Sequence, residues 1–285
     1  LAGVLADIGH VDEAERLFQA AVSRAAGVNP ADESAAVKLA AVWEAQAAFA
    51  QTLTRFDSAE RALRHAQAIH ERLGEAGRTS RARVSLALAG LLTAQGHYAS
   101  ANDLYAQTVE GLRELVVEDD PRLAEAYAAY GNFLAVHVDL ERGEELLRRS
   151  IDIRRGRLGA DHPALAESLR LLGNVRLVQG SFDEAEALLT ESVQIDRRTG
   201  SGHPALAHAL NRLGAVAMHQ FDYGRATMHH LEALEMFRSS YGGDHPAVAR
   251  TLADLGIVAM RSHQYESALG YFTEALAIRE RVLGP

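Results

Sequence analysis

The chain has no cysteine among its 285 residues, which removes disulfides, thiolate metal sites and cysteine nucleophiles together. Lysine is nearly missing: Lys38 is the only one, so all but one of the 29 basic residues are arginine. Six prolines and 6% aromatic residues argue against an all-β protein, whose strands favour aromatic and β-branched side chains. No run of about 18 apolar residues occurs, so nothing reads as a membrane span. The net charge of −9 and pI near 5.8 argue against a general nucleic-acid binder, which carries a basic face. Nucleotide-binding and hydrolase words are also lacking: there is no GxGxxG, Walker loop, GxSxG or HExxH. The expectation is a protein with no catalytic site and no cofactor. Cysteine-free composition suits a cytoplasmic protein, and the arginine-over-lysine bias suggests a GC-rich bacterial gene. The opening "LAGVLADIGHVDEAERL" has no basic leader and reads as the middle of a helix, so a fragment of a longer protein is expected.

What the chain does have is a period. The words "DHPALAESL" (161–169), "GHPALAHAL" (202–210) and "DHPAVARTL" (244–252) place His162, His203 and His245 at intervals of 41 and 42 residues. Three histidines beside acids suggest a metal centre, but the regularity argues otherwise. Equivalent residues of stacked repeats lie a repeat apart, and even neighbouring helices are separated by ~8–10 Å. Zinc needs each imidazole nitrogen at ~2.0–2.1 Å. The prolines give the better account. Pro121, Pro163, Pro204 and Pro246 have φ preset for a first helical turn, and the preceding Asp or His caps it.

Other columns share the period. Ala14, Ala59, Ala101, Gly143, Ala185, Ala226 and Ala268 follow one another at 45, 42, 42, 42, 41 and 42 residues. Seven residues later the chain is again small, from Ala21 through Ser150 and Ser192 to Ala275. Twelve residues earlier it is small too, from Ala2 through Gly173 to Gly256. Small residues at helical spacing let two backbones approach closely. Three residues before each anchor stands a large apolar residue, among them Val11, Phe56, Tyr98, Leu140, Phe182, Tyr223 and Tyr265, expected to fill the wedge beside them. Between the columns the local period is helical, as in Leu165, Leu169, Leu172 and Val175. Each unit is therefore helix, short turn, helix.

This pattern resembles the tetratricopeptide repeat, with Trp43 in a column that the family often fills with tryptophan. The period of about 42 and the linker "LGADHP" resemble the longer kinesin-light-chain type. The resemblance implies an all-α, right-handed superhelical solenoid of about seven stacked antiparallel helix pairs. The repeats run approximately over 1–29, 30–77, 78–118, 119–160, 161–201, 202–243 and 244–285, as a single array. The ending "RERVLGP" matches the stretch that leads from one repeat into the next, so the array is expected to run on. It also implies a non-catalytic module that binds a peptide or protein segment in its concave groove. The alternative is a regulatory or sensor region of a larger bacterial signalling protein, beside a kinase, a nucleotide-binding switch or a protease domain.

Transferred one residue at a time, the family's groove positions fall on Glu44, Gln51 and Thr52 in the second repeat, Arg83 and Thr93 in the third, and Glu125 and Asn132 in the fourth. In the later repeats they fall on Glu167, Arg170 and Asn174, then His208, Asn211 and His219, and finally Arg250 and Arg261. From Arg170 onward these include no acid, so the expected partner is an acidic or C-terminal segment, with no nucleic acid and no membrane. Of the paired asparagines typical of the kinesin-light-chain groove, only Asn211 is matched, in "LNRLG". Two side issues remain. His229 and His230, with Glu232 and Glu235, are the best metal candidates, but their columns hold Leu146, Leu147, Leu188 and Leu189, so they are expected to be packing residues. Arg148, Arg149, Arg154, Arg155 and Arg157 form a basic run that could meet an acidic partner.

Overall fold

The computed structural model describes residues 11–26, 33–53, 55–200 and 203–283. Among them are thirteen α-helices, one short 3₁₀ turn at Gly74–Gly77 and no strand. The first seven are α1 (Val11–Ala26), α2 (Glu33–Thr52), α3 (Phe56–Arg72), α4 (Arg78–Ala94), α5 (Tyr98–Leu115), α6 (Pro121–His137) and α7 (Leu140–Leu158). The rest are α8 (Pro163–Val178), α9 (Phe182–Thr199), α10 (His203–His219), α11 (Tyr223–Tyr241), α12 (Pro246–Arg261) and α13 (Tyr265–Leu283). Ala2, and the side chains of Val11, Ala14, Thr52 and His203, lie outside what is described. The chain divides into two compact units, 1–146 and 147–285, and the boundary runs through α7.

The small columns are where the helices meet. Ala59, Ala101, Ala185 and Ala226 are fully buried on the second helix of their pairs. At Gly143 the approach is closest, because a Cβ there would fall on the backbone of Gly131 and Ala135 in α6. In the column seven residues on, Ser192 Oγ donates to the Ala166 carbonyl at 2.9 Å, and the Ser150 and Ser168 hydroxyls hydrogen-bond at 2.8 Å. A hydroxyl is tolerated in these dry seams because each one finds a partner. The second unit has a core in which Leu189, Leu210, Phe237 and Leu252 are buried together.

Helix starts follow the proline words. Asp120 Oδ1 accepts from the Arg122 amide at 2.8 Å, and His162 Nδ1 and His245 Nδ1 accept from Ala164 and Ala247 at 3.1 Å. The two described histidines of the "HP" words are therefore caps.

The large column follows expectation only in part. Phe56, Phe182 and Tyr223 are partly buried against the core, as expected. Tyr98, Leu140 and Tyr265 are exposed rather than wedged inside, each at the first residue of its helix. Tyr98 stacks on His137 at 4.4 Å and Phe182 on His219 at 4.9 Å. The turns before Tyr98, Phe182, Tyr223 and Tyr265 pass through a left-handed backbone. Gly96 (φ 80°) and Gly180 (φ 77°) supply it cheaply, whereas Phe221 (φ 62°) and His263 (φ 60°) adopt it with a side chain in place.

Candidate binding face

Asn132 lies half-buried on α6 in the first unit. The other seven candidate residues stand on α8, α10 and α12, the first helices of the second unit. Two of them, Arg170 and Arg250, act electrostatically on a third, His208. His208 on α10 feels Arg170 from α8, Arg212 from its own helix, and Arg250 and His245 from α12 and its cap. Part of the side chain remains exposed, yet its neighbours shield the ring, which sits edge-on to Phe237 at 4.8 Å. That shielding first, and the cations next, hold its pKa below the ordinary histidine value. Arg212 is lowered in the same way, first by burial and then by Arg250.

Acids near this group are few and held towards the neutral form. Burial raises the pKa of Asp196 against the pull of Arg170. It also raises that of Asp254, which accepts from Asn211 Nδ2 at 3.1 Å. Asn211 is thus engaged inside the fold at both ends, since its Oδ1 meets His230 Nδ1 at 2.5 Å. Asn174, half-buried on α8, has a buried Oδ1 with no hydrogen-bond partner among the described residues. His219 and Arg261 stand apart from the cluster. Eleven residues of helix separate them from His208 and Arg250, about 16 Å along the axis. His219 occupies itself in the stack on Phe182.

His230 is 1% exposed, under Gly214, where a Cβ would come within 2.6 Å of the ring. Burial lowers its pKa from 6.5 to about 4. Glu232, its neighbour in the metal hypothesis, pairs with Arg197 at 2.6 Å. Among the described residues, no three His, Asp or Glu side chains gather as metal ligands would. In the basic run, Arg154 is 3% exposed and donates to Ala164 O, Glu167 and Ser168, while Arg155 pairs with Glu191 at 2.8 Å. These two are structural.

Sequence reasoning missed Arg212, because it adjoins Asn211 and was not on the transferred stripe. It also missed Asp196, Asp254 and Phe237, which reach the site from neighbouring helices. Only the positions of Arg212 and Asp254, two residues past the conserved-spacing leucines Leu210 and Leu252, offered a signal.

Comparison with known proteins agrees with this architecture. Tetratricopeptide repeat models match residues 122–198 and 205–281, and a second such model matches 82–122. No curated protein sequence matches the chain. Among solved structures, BtubC (BKLC) from P. vanneervenii is similar at 18% identity and a TM-score of 0.67, over 81% of this chain and 93% of that one. A putative kinesin light chain of Podosopora anserina with nearly identical TPR-like repeats is similar at 20% identity and 0.59, over 71% and 97%. A Rap protein complexed with Competence and Sporulation Factor is similar at 13% and 0.69, over 96% and 73%. At these identities the structures speak for the fold alone. With more than half its length matched by repeat models, the chain belongs to the tetratricopeptide repeat family.

Proposed function

We propose that this chain is a non-catalytic interaction module that holds an acidic segment of a protein or peptide against the first helices α8, α10 and α12. One observation carries the reading. Arg170, Arg212 and Arg250 make no hydrogen bond or ion pair among the described residues, whereas most other arginines of the second unit are neutralised. Unpartnered guanidinium groups are ready donors for carboxylates. Half-buried Asn174 offers an amide to a segment's backbone. The fold class generally serves as a scaffold for protein contacts, and the Rap structure was obtained as a complex. No helix among the described residues is long and apolar enough to cross a membrane. A partner in the same cytoplasmic compartment fits the cysteine-free chain.

The test is a titration of acidic, basic and neutral peptide libraries onto the wild type and an Arg170→Ala, Arg250→Ala double variant. The reading expects acidic peptides to bind the wild type and lose at least tenfold in the variant. Selection of basic peptides would refute it.

A further inference from the structure

Helix α13 departs from the repeat pattern on the face that, in earlier pairs, receives the next repeat. One residue after the anchor the chain carries Glu60, Asn102, Glu144, Glu186 and Thr227, all polar. Asn102 Oδ1 accepts from the Tyr130 hydroxyl at 3.1 Å, and Glu186 accepts from the Gln220 amide at 2.9 Å, each donor lying in the following repeat. On α13 this position is Leu269, which is 70% exposed and can accept nothing. Eight residues after the anchor, Val109, Ile151, Val193 and Leu234 are buried, whereas Leu276 is 57% exposed. Leu269 and Leu276 share one stripe, with half-buried Phe272 between them. The third departure is a charge. Twelve residues after the anchor, Arg155, Arg197 and Arg238 each pair with a glutamate of the next second helix. There α13 carries Glu280. Glu266, Thr273 and Glu280 form a second stripe beside the leucines, and neither glutamate has a side-chain hydrogen bond or ion pair among the described residues.

We infer that this face of α13 docks a basic amphipathic helix of a partner protein, its apolar side over Leu269, Phe272 and Leu276 and its cations opposite Glu266 and Glu280. It is a second site, independent of the first-helix face. An amphipathic helix covers such a stripe with residues spaced by three and four. Charge decides which helix. A further repeat of the same pattern would bring a glutamate towards Glu280 and polar donors towards Leu269. A second copy does no better. An antiparallel pairing that sets Leu269 against the other copy's Leu276 brings Glu266 level with the other copy's Glu280. Arg279 does not relieve this, because it points about 100° around the helix from Glu280. A cationic flank answers both acids. They stand about 21 Å apart along the axis, so the docked helix needs about four turns.

The experiment titrates the intact chain with two helical peptides of about 20 residues, alike in a leucine seam and flanked by arginine in one and glutamate in the other. The arginine peptide should bind at least tenfold tighter. Leu276→Ser should weaken it at least tenfold, and Glu266→Gln with Glu280→Gln should remove the preference between the peptides. All three positions are exposed, and an unchanged melting curve confirms that each variant folds. Arg170→Ala with Arg250→Ala should leave this binding unchanged, which separates it from the first-helix site. Short peptides hold little helix alone, so short acidic, basic and neutral libraries read out the first-helix site without reporting on this one. Equal binding of the two peptides, or binding of neither, would overturn the inference and leave the acidic-segment reading standing. Self-association of the chain that Leu276→Ser abolishes, seen by sedimentation, would assign the face to a second copy and overturn it as well.

Discussion

The second unit has two helical faces, and they treat arginine in opposite ways. On the second helices, Arg155 pairs with Glu191, Arg197 with Glu232 and Arg238 with Glu274, at 2.8, 2.6 and 2.5 Å. This is one pair for each junction between repeats, a ladder written at the repeat period. On the first helices, Arg170, Arg212 and Arg250 recur with no such partner. In the first unit even the first-helix face is compensated, because Arg83 meets Glu44 at 2.8 Å and Glu44 also meets His70 at 3.2 Å. Exposed pairs of the ladder kind contribute at most about 1 kcal/mol. Their value here is as a contrast: each ladder arginine has an ion-paired acid, whereas Arg170, Arg212 and Arg250 have none within ion-pair distance among the described residues.

The largest expected effect would break the view that His230 belongs to the packing of that face. Its pKa in the fold, about 4, lies below the 6.5 of the unfolded chain. Above pH 6.5 neither state is protonated and the residue contributes no pH dependence. As pH falls towards 4 the unfolded chain takes up a proton that the folded one refuses, so stability is lost across that window, by about 3 kcal/mol in all. Urea unfolding followed between pH 7 and 4 should show this slope. His230→Leu, the residue type found at Leu147 and Leu189, should flatten it. An unchanged slope would mean that another group carries it.

Next in size is the contrast itself. Arg170→Ala with Arg250→Ala should weaken an acidic ligand by about a hundredfold, each charged hydrogen bond contributing ~1.5–3 kcal/mol. Arg238→Ala, on the ladder, should leave affinity unchanged. Equal losses from the two faces, measured by calorimetry, would erase the distinction. Lowering the pH should tighten binding only once it falls below the ordinary histidine range, because shielding from water first, and then Arg170, Arg212, Arg250 and His245, oppose a charge on His208.

The helical seams give a smaller effect. Ala185→Leu should lower stability by ~1–3 kcal/mol by overpacking the contact between α8 and α9. Gly143→Ala should act at least as strongly, because the obstacle there is backbone. A denaturation midpoint unmoved by Ala185→Leu would contradict the register of the repeats.

These seams were the most legible part of the sequence, and the reason is steric. Where Gly143 must clear Ala135, only a small residue fits, so the constraint is printed at every repeat. The candidate face was half legible. Arg170, His208 and Arg250 recur at helical offsets from the leucine column and could be read. Asn211 could be seen but not understood, since the partners that engage its amide, His230 and Asp254, come from two other helices. Arg212 was missed for the same reason: its role depends on which way α10 is turned against α8 and α12, and the period of one helix does not record that. The exposure of Tyr98 and Tyr265 was misjudged, although Phe56, Phe182 and Tyr223 at equivalent helix starts do pack against the core, so the column alone does not set how far each ring is buried.

The smallest effect concerns the turns, where equivalent positions carry Gly96 in the first unit and Gly180, Phe221 and His263 in the second. Gly96 in the first unit and Phe221 in the second hold the same left-handed backbone, and Phe221 does so with its ring 73% exposed. A bulky residue there costs of order 1 kcal/mol relative to glycine, through crowding of its Cβ, and this exposed ring recovers little by burial. Phe221→Gly relieves the crowding but frees the unfolded chain, which offsets part of the gain. The net expectation is a stabilisation of at most about 1 kcal/mol, with Phe221→Ala close to neutral because it keeps the Cβ. Thermal unfolding of the two variants beside the wild type decides it. If Phe221→Gly destabilises the protein, the ring is making contacts that its exposure does not suggest, and the turn of the second unit is more than a strained copy of the glycine turn in the first.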